Sequence, residues 1–154
     1  MVIKRCCSLF FRRLALSFIF LLVGCPGQGD RLQLDETTQT KLIGDNICFH
    51  ITNAQDYQPA IISINPRGTP PKQQKFIDNP SLSISAGQLC IPPSFYPFAD
   101  NGKYIVEFVL TSDRNADEPR KFVVGVGINN HQAYNFPLSD REILRPYGSI
   151  EVSE

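Results

Sequence analysis

Four stretches of the sequence place apolar side chains at every second position, the spacing of a β-strand with one buried face. They cover residues 46–51, 59–65, 103–110 and 121–128. Shorter stretches of the same character lie at 31–34, 39–43, 82–85, 88–91, 132–136 and 148–152. Twelve prolines oppose long helices, and no long stretch after residue 31 has a helical period. The sequence therefore predicts an all-β domain, built as an antiparallel sandwich with one wet face per sheet.

A short motif precedes the 103–110 stretch. The segment Asp100-Asn101-Gly102-Lys103-Tyr104 resembles the Asp-x-Gly-x-Tyr turn that leads into strand F of immunoglobulin-like domains. In that family the tyrosine hydroxyl bonds back to nearby backbone, so the resemblance assigns Asp100, Gly102 and Tyr104 to a tyrosine corner. The chain departs from antibody domains, because it has no tryptophan and carries Val106 where they have their second cysteine.

The first 24 residues have the features of a cleaved signal peptide. Four basic residues precede an apolar run at 14–23, whose ten residues span roughly 15 Å as helix, too short for a bilayer core of about 30 Å. The junction Leu22-Val23-Gly24-Cys25 resembles the lipobox of bacterial lipoproteins. In that family the chain is cut between Gly24 and Cys25, and Cys25 carries the lipid. A membrane anchor helix, or a buried strand with a chance cysteine, is the alternative.

The lipobox resemblance implies an organisation and a location for the whole chain. A signal peptide at 1–24 and a lipidated tether at 25–31 would precede a β-sandwich domain at 32–154. Acyl chains such as palmitate on Cys25 would hold the protein at a membrane of the cell envelope, facing the periplasm. The outer membrane is favoured over the inner one, because Pro26 stands where inner-membrane retention is associated with Asp.

Two cysteines remain after the leader and the lipidation position are set aside. Cys48 and Cys90 form an even pair in an oxidising compartment, which favours a disulfide over two free buried thiols. Both alternate with the apolar positions of their stretches, which the resemblance to immunoglobulin-like domains assigns to the neighbouring strands B and E. The bond would therefore staple two adjacent strands on the outer face of one sheet. Neither a Cys-x-x-Cys pair nor paired histidines are present, so we expect no metal and no cofactor.

Charge and motifs restrict the function class. Loss of the leader leaves 11 Lys and Arg against 15 Asp and Glu, which gives no electrostatic reason to expect nucleic-acid binding. Neither a Gly-x-Ser-x-Gly elbow nor a His-Glu-x-x-His motif is present, and we expect that the protein is not an enzyme.

Two proline-stiffened loops are candidate partner-binding segments. The loop at 92–98 carries Phe95, Tyr96 and Phe98, which either cover the open end of the sandwich or form a contact surface. The loop at 65–72 carries the basic residues Arg67 and Lys72.

Several segments also resemble a group of small enterobacterial lipoproteins, described as type VI secretion immunity proteins of the periplasm. The resemblance runs over nearly all of the chain after the leader and rests on these segments: Gly24–Arg31, Gly44–Phe49, Asn65–Gly68, Leu89–Tyr96, Asp117–Lys121 and Arg145–Glu151. It implies a protein partner, a toxin effector that the chain binds and neutralises. A structural or accessory envelope lipoprotein, a cell-wall hydrolase and an inhibitor of host lysozyme are the alternatives.

Replacement of Cys25 by Ala tests the anchor. We expect the variant to remain unprocessed or to become soluble, because the lipid supplies about 0.8 kcal/mol of membrane affinity per buried methylene. Fractionation and mass spectrometry of the intact chain measure this outcome. Unchanged fractionation and mass in the variant would contradict the lipidation.

Overall fold

The protein is described by a computed structural model that covers residues 34–143. The positions Gly24 and Cys25, residues 31–33 and the predicted strand at 148–152 lie outside the described residues. Within the described range the chain forms nine strands and one turn of 3-10 helix at Pro71–Gln73. The strands are β1 (Thr40–Ile43), β2 (Asn46–His50), β3 (Gln58–Pro66), β4 (Phe76–Asp78), β5 (Ile84–Ser85), β6 (Gln88–Ile91), β7 (Lys103–Thr111), β8 (Arg120–Asn129) and β9 (Gln132–Asn135).

The strands form two antiparallel sheets that pack face to face. One sheet has the order β1-β2-β6-β5 and the other has the order β4-β3-β7-β8-β9. In the lettering of immunoglobulin-like domains these are A-B-E-D and C′-C-F-G, with β9 as an additional strand beyond G. The predicted all-β sandwich of immunoglobulin-like topology is therefore confirmed.

Three phenylalanines fill the centre of the space between the sheets. The ring of Phe49 on β2 lies 5.4 Å from that of Phe108 on β7, which stacks at 4.9 Å on Phe122 of β8. All three are fully or almost fully buried. They occupy the region where antibody domains place a tryptophan against an inter-sheet disulfide.

The predicted disulfide joins Cys48 to Cys90 across the β2–β6 pair, where the two residues are direct partners. The Ile51 N–H donates to the Gly87 carbonyl over 2.8 Å. Since hydrogen-bonded and non-hydrogen-bonded pairs alternate, Cys48 and Cys90 form a non-hydrogen-bonded pair, whose side chains are closest. Their neighbours Phe49 and Leu89 point into the core. The disulfide is thus confirmed, on the outer face of its sheet, and the alternative of two free thiols is wrong.

Strand β4 was not predicted. Its three residues are too few to show an alternation, and they are a strand only because Ile77 pairs with Ile62 of β3. The strand forms one edge of the five-stranded sheet. It leaves Phe76 56% and Ile77 45% exposed.

The prediction of one wet face per sheet is wrong for the five-stranded sheet. Residues 136–143, which follow β9, cross its outer face and bury Val123 in a second small apolar cluster with Phe136, Leu138 and Ile143. Gly125 makes this approach possible, because a Cβ there would lie 2.6 Å from the Phe136 carbonyl oxygen. In the sequence of β8, the signal for this cover is a glycine on the face opposite the apolar residues.

Removal of the disulfide tests the contribution of the β2–β6 staple. We expect the double variant Cys48→Ala/Cys90→Ala to lose about 2–4 kcal/mol of unfolding free energy, since the bond closes a long loop of the unfolded chain. Urea denaturation measures the loss, and the reduced wild-type protein is the matched control. An oxidised wild type no more stable than the double variant would contradict the assignment.

Candidate functional site

The tyrosine corner closes one end of the sandwich. The Tyr104 hydroxyl accepts a hydrogen bond of 2.9 Å from the Ala99 N–H, five residues upstream. Gly102 lies beneath the ring, and a Cβ at this position would come within 2.5 Å of it. Asp100 connects the corner to the β8–β9 turn, because its carboxylate accepts from the His131 N–H over 3.3 Å. The three residues of the motif therefore have separate roles in one local structure.

Two aromatic residues of the 92–98 loop pack on this corner. The rings of Tyr96 and Phe98 lie 5.7 and 5.1 Å from that of Tyr104, both edge-on, and 4.9 Å from each other. Together with Phe95 they are half-buried against the main core. The structure thus supports the first of the two expectations for this loop, that its aromatics cover the open end of the sandwich. Burial, with an added contribution from Tyr104, raises the pKa of Tyr96.

The same loop also forms one wall of a groove, which we call the corner groove. It has a volume of about 330 Å³. Its other walls come from the start of the sandwich at β1 and β2 and from the end of β8. The lining residues are Leu42, Asp45, Ile47, Pro93, Tyr96, Pro97, Phe98, Ile128 and His131. Most of this lining is apolar, and Asp45 and His131 are its polar members.

The strand directions place four connections at this end of the sandwich, which we call the corner end. They are the turn at 44–45, the β3–β4 connection at 67–75, the loop at 92–102 and the turn at 130–131. The two loops that the sequence singled out therefore lie at one end. The connections at 51–57, 86–87 and 112–119 lie at the opposite end. The described chain also begins there, because Glu36 bridges Phe122 near the start of β8.

The two basic residues of the 65–72 loop differ in their surroundings. Lys72 lies exposed in the 3-10 turn. Arg67 is held by a bidentate ion pair, since its Nε and Nη2 donate to the two carboxylate oxygens of Glu142 over 2.8 and 2.9 Å. Its guanidinium also lies 4.6 Å from the centre of the Phe136 ring. Arg67 thus fastens residues 136–143 to the sheet, a role that the sequence analysis missed.

Glu142 is further stabilised as a carboxylate by Ser139, whose N–H and hydroxyl both donate to it, over 2.7 and 2.9 Å. The hydrogen bond from Arg67, followed by those from Ser139, lowers the pKa of Glu142 to about 2. The sequence offered no signal for this pair, because 75 residues separate its members.

The opposite end has its own polar contacts. Arg120 makes a bidentate ion pair with Glu36 and donates to the Thr52 carbonyl over 2.9 Å. Asp56 accepts from the Ser112 hydroxyl over 2.8 Å, which lowers the pKa of the Asp56 carboxyl. These contacts tie the loops of this end to one another.

Residues 34–143 contain no cluster of three or more His, Cys, Asp or Glu arranged to hold a metal ion. No helix in this part of the chain is long and apolar enough to cross a membrane.

Fold and site together define an immunoglobulin-like β-sandwich with a preformed groove at one end. The chain belongs to a family known as DUF7480, a domain of unknown function, which matches residues 35–131. The matched range contains β1 to β8 and every residue that lines the corner groove, and it ends before β9. Neither a curated protein nor a solved structure shows a significant match to the chain.

The variant Glu142→Gln tests the fastening of residues 136–143. At pH 7 we expect a loss of about 1 kcal/mol of unfolding free energy, because a partly exposed bidentate ion pair is removed. The folded state depresses the pKa of Glu142, so its contribution is present above about pH 4.5 and is lost as the pH falls towards 2. The difference in unfolding free energy between wild type and variant should therefore narrow as the pH falls over this range, as chemical denaturation at each pH will measure. Asp140→Asn, at an exposed neighbouring carboxylate, is the control. A difference in unfolding free energy that does not change with pH would contradict the pairing of Glu142 with Arg67.

Proposed function

We propose that the chain is a lipid-anchored periplasmic binding protein, and specifically an immunity protein that binds a secreted toxin effector and neutralises it. It acts by contact and performs no chemistry. The observation that carries this proposal is the corner end, where a stiff aromatic loop both closes the core and presents an open groove. Rigid aromatic anchors in such a position bind partners with little loss of conformational entropy.

The size of a stable interface also favours the whole corner end over the groove alone. Protein–protein interfaces of this type bury roughly 1,200–2,000 Å², which takes about 20–30 residues on each side, whereas nine residues line the groove. The connections at 44–45, 67–75 and 130–131 surround the groove and add their surfaces to it. Lys72 lies exposed on one of them, as a binding loop requires.

The lipobox resemblance and the resemblance to immunity lipoproteins supply the rest of the proposal. A toxin that is delivered into the periplasm must be met there, and a lipid on Cys25 keeps the binding domain in that compartment. A binding protein blocks an active site by occupying it, which needs only a stable, preorganised surface.

A second candidate function is that of a structural or accessory envelope lipoprotein in a secretion or surface complex. The exposed edge strand β4 favours it, since an edge with 56% of Phe76 in solvent can pair with a strand of another protein. The immunoglobulin-like fold does not by itself decide between the two candidates.

Deletion of the gene, followed by competition with toxin-bearing sister cells, tests the immunity function. We expect the deletion strain to lose survival and the wild-type chain to restore it. The Cys25→Ala chain should restore it poorly, because the variant is no longer held where the toxin arrives. Equal survival of the deletion strain, together with no effector in co-purification, would reject the immunity function and leave the structural candidate.

A further inference from the structure

We propose that the corner groove is the docking site for a cationic side chain, Lys or Arg, on an otherwise apolar loop of the protein partner. The inference depends on the proposed function for the existence of a protein partner. It adds which surface makes the central contact and which chemistry that contact requires.

The walls of the groove suit a long side chain with an apolar stem. Ile47 and Ile128 supply aliphatic surface, and Tyr96 and Phe98 supply aromatic rings. Lys and Arg bury their methylene stems along such surfaces, and their charged groups are attracted to aromatic faces. Among the contacts of the described residues, the Tyr96 hydroxyl has no hydrogen-bond partner, so it remains available to a ligand.

The charge of the groove favours a cation. Asp45 lines it from the turn between β1 and β2, is exposed, and makes no ion pair within residues 34–143. When a partner excludes water from the groove, the attraction between this carboxylate and a cation becomes stronger, because the local dielectric constant falls. The other polar lining residue, His131, lies 3.9 Å from the carboxylate of Asp100.

Three basic side chains near this end are directed away from the groove. Arg67 is occupied by Glu142. The Lys103 ammonium lies 6.0 Å from the centre of the Phe136 ring, on the outer face of the five-stranded sheet. Lys41 shares its face with Cys48, its direct partner in the β1–β2 pair, and this is the outer face of the other sheet. Asp45 is thus the one carboxylate among the lining residues, and no Lys or Arg of residues 34–143 lines the groove.

The groove region also offers an apolar surface for the residues that flank the expected Lys or Arg on the partner loop. Leu42, which lines the groove, is 39% exposed. It extends the apolar surface from the groove onto β1. A loop that places an apolar residue beside its Lys or Arg would cover it.

Access to the groove is compatible with an anchored chain. The described chain begins at the opposite end of the sandwich, where Glu36 pairs with Arg120. Nine residues, from Cys25 to Gln33, separate the proposed lipidation position from the residue at which the described chain begins. The corner groove lies at the end of the sandwich away from that residue.

Site-specific photo-crosslinking in the native host tests the docking site with the full-length chain. A photoreactive phenylalanine analogue replaces Leu42, and the control position is Phe76, an exposed apolar residue on β4. Mass spectrometry identifies the crosslinked peptide of the partner. We expect a crosslink from position 42, to a peptide in which Lys or Arg adjoins an apolar residue, and none to the same partner from position 76.

Charge reversal supplies the second measurement. Asp45→Lys should reduce the crosslink from position 42 at least tenfold, whereas Asp113→Lys, at an exposed carboxylate of the opposite end, should leave it unchanged. Circular dichroism of both variants checks that the fold is intact. A crosslink from position 42 to lipid or to an acidic peptide, or one that Asp45→Lys does not weaken, would overturn the docking site, as would the absence of any crosslink there.

The two proposals fail separately. If the wild-type chain protects cells from the toxin and Asp45→Lys protects equally well, the groove is not the contact and the immunity function stands. If position 42 captures a structural envelope protein through a cationic loop, the groove is correct and the immunity function is rejected.

Discussion

Burial of Phe49, Phe108 and Phe122 between the sheets is the interaction on which the rest of the molecule depends. Each fully buried side chain of this size contributes about 1.5–3 kcal/mol. Because Phe49 and Leu89 point into the core, the cysteines beside them on β2 and β6 face outwards, and their bond staples neighbouring strands instead of opposite sheets. Contacts along one side of the sandwich complement the core. The Asn135 side chain on β9 accepts from the Thr40 N–H over 2.8 Å and donates to the Thr38 carbonyl over 3.0 Å, which joins the β1 edge of one sheet to the other sheet.

At the corner end, the contacts of Tyr104 that stabilise the fold also shape the candidate binding surface. Tyr104 needs its hydroxyl satisfied because the ring is buried, and the Ala99 N–H satisfies it. That bond fixes the end of the 92–102 loop, and edge-on contacts then hold Tyr96 and Phe98 on Tyr104. The rings are thus positioned by the core on one side, and the side that faces the groove requires no further ordering when a partner arrives. The two expectations for the loop, a cover for the sandwich and a contact surface, do not exclude each other on this geometry.

The strands and the tyrosine corner could be predicted because both are local signals. The sequence has an apolar period of two in β2, β7 and β8 and, beyond the register shift between Pro59 and Ile61, in β3; the Asp-x-Gly-x-Tyr turn is contained in five residues. The disulfide could be predicted because two cysteines remained and the expected compartment favours pairing. The contacts that escaped prediction join distant parts of the chain. Arg67 pairs with Glu142, and Arg120 with Glu36, across 75 and 84 residues, and a charge has no period that reveals its partner. The cover of residues 136–143 over Val123 escaped for a related reason, since its apolar residues are too irregularly spaced to indicate a face.

The two ends of the sandwich also divide the mechanical demands on an anchored binding domain. If a lipid holds Cys25, a pull on the chain reaches the contacts of Asp35 and Glu36 with β8. The Asp35 carboxylate lies 3.1 Å from the Lys121 ammonium. The backbone of Glu36 bonds β8 through the Lys121 carbonyl and the Val123 N–H, each over 2.8 Å. Its side chain adds the ion pair with Arg120, which also holds the Thr52 carbonyl of the neighbouring loop. The force therefore acts on the five-stranded sheet at a position that several hydrogen bonds and ion pairs hold in place. The corner groove lies at the other end of the same strands, where the loop at 92–102 is held by Tyr104 independently of these contacts. The proposed binding surface is thus supported by a different set of interactions from those at which the described chain begins.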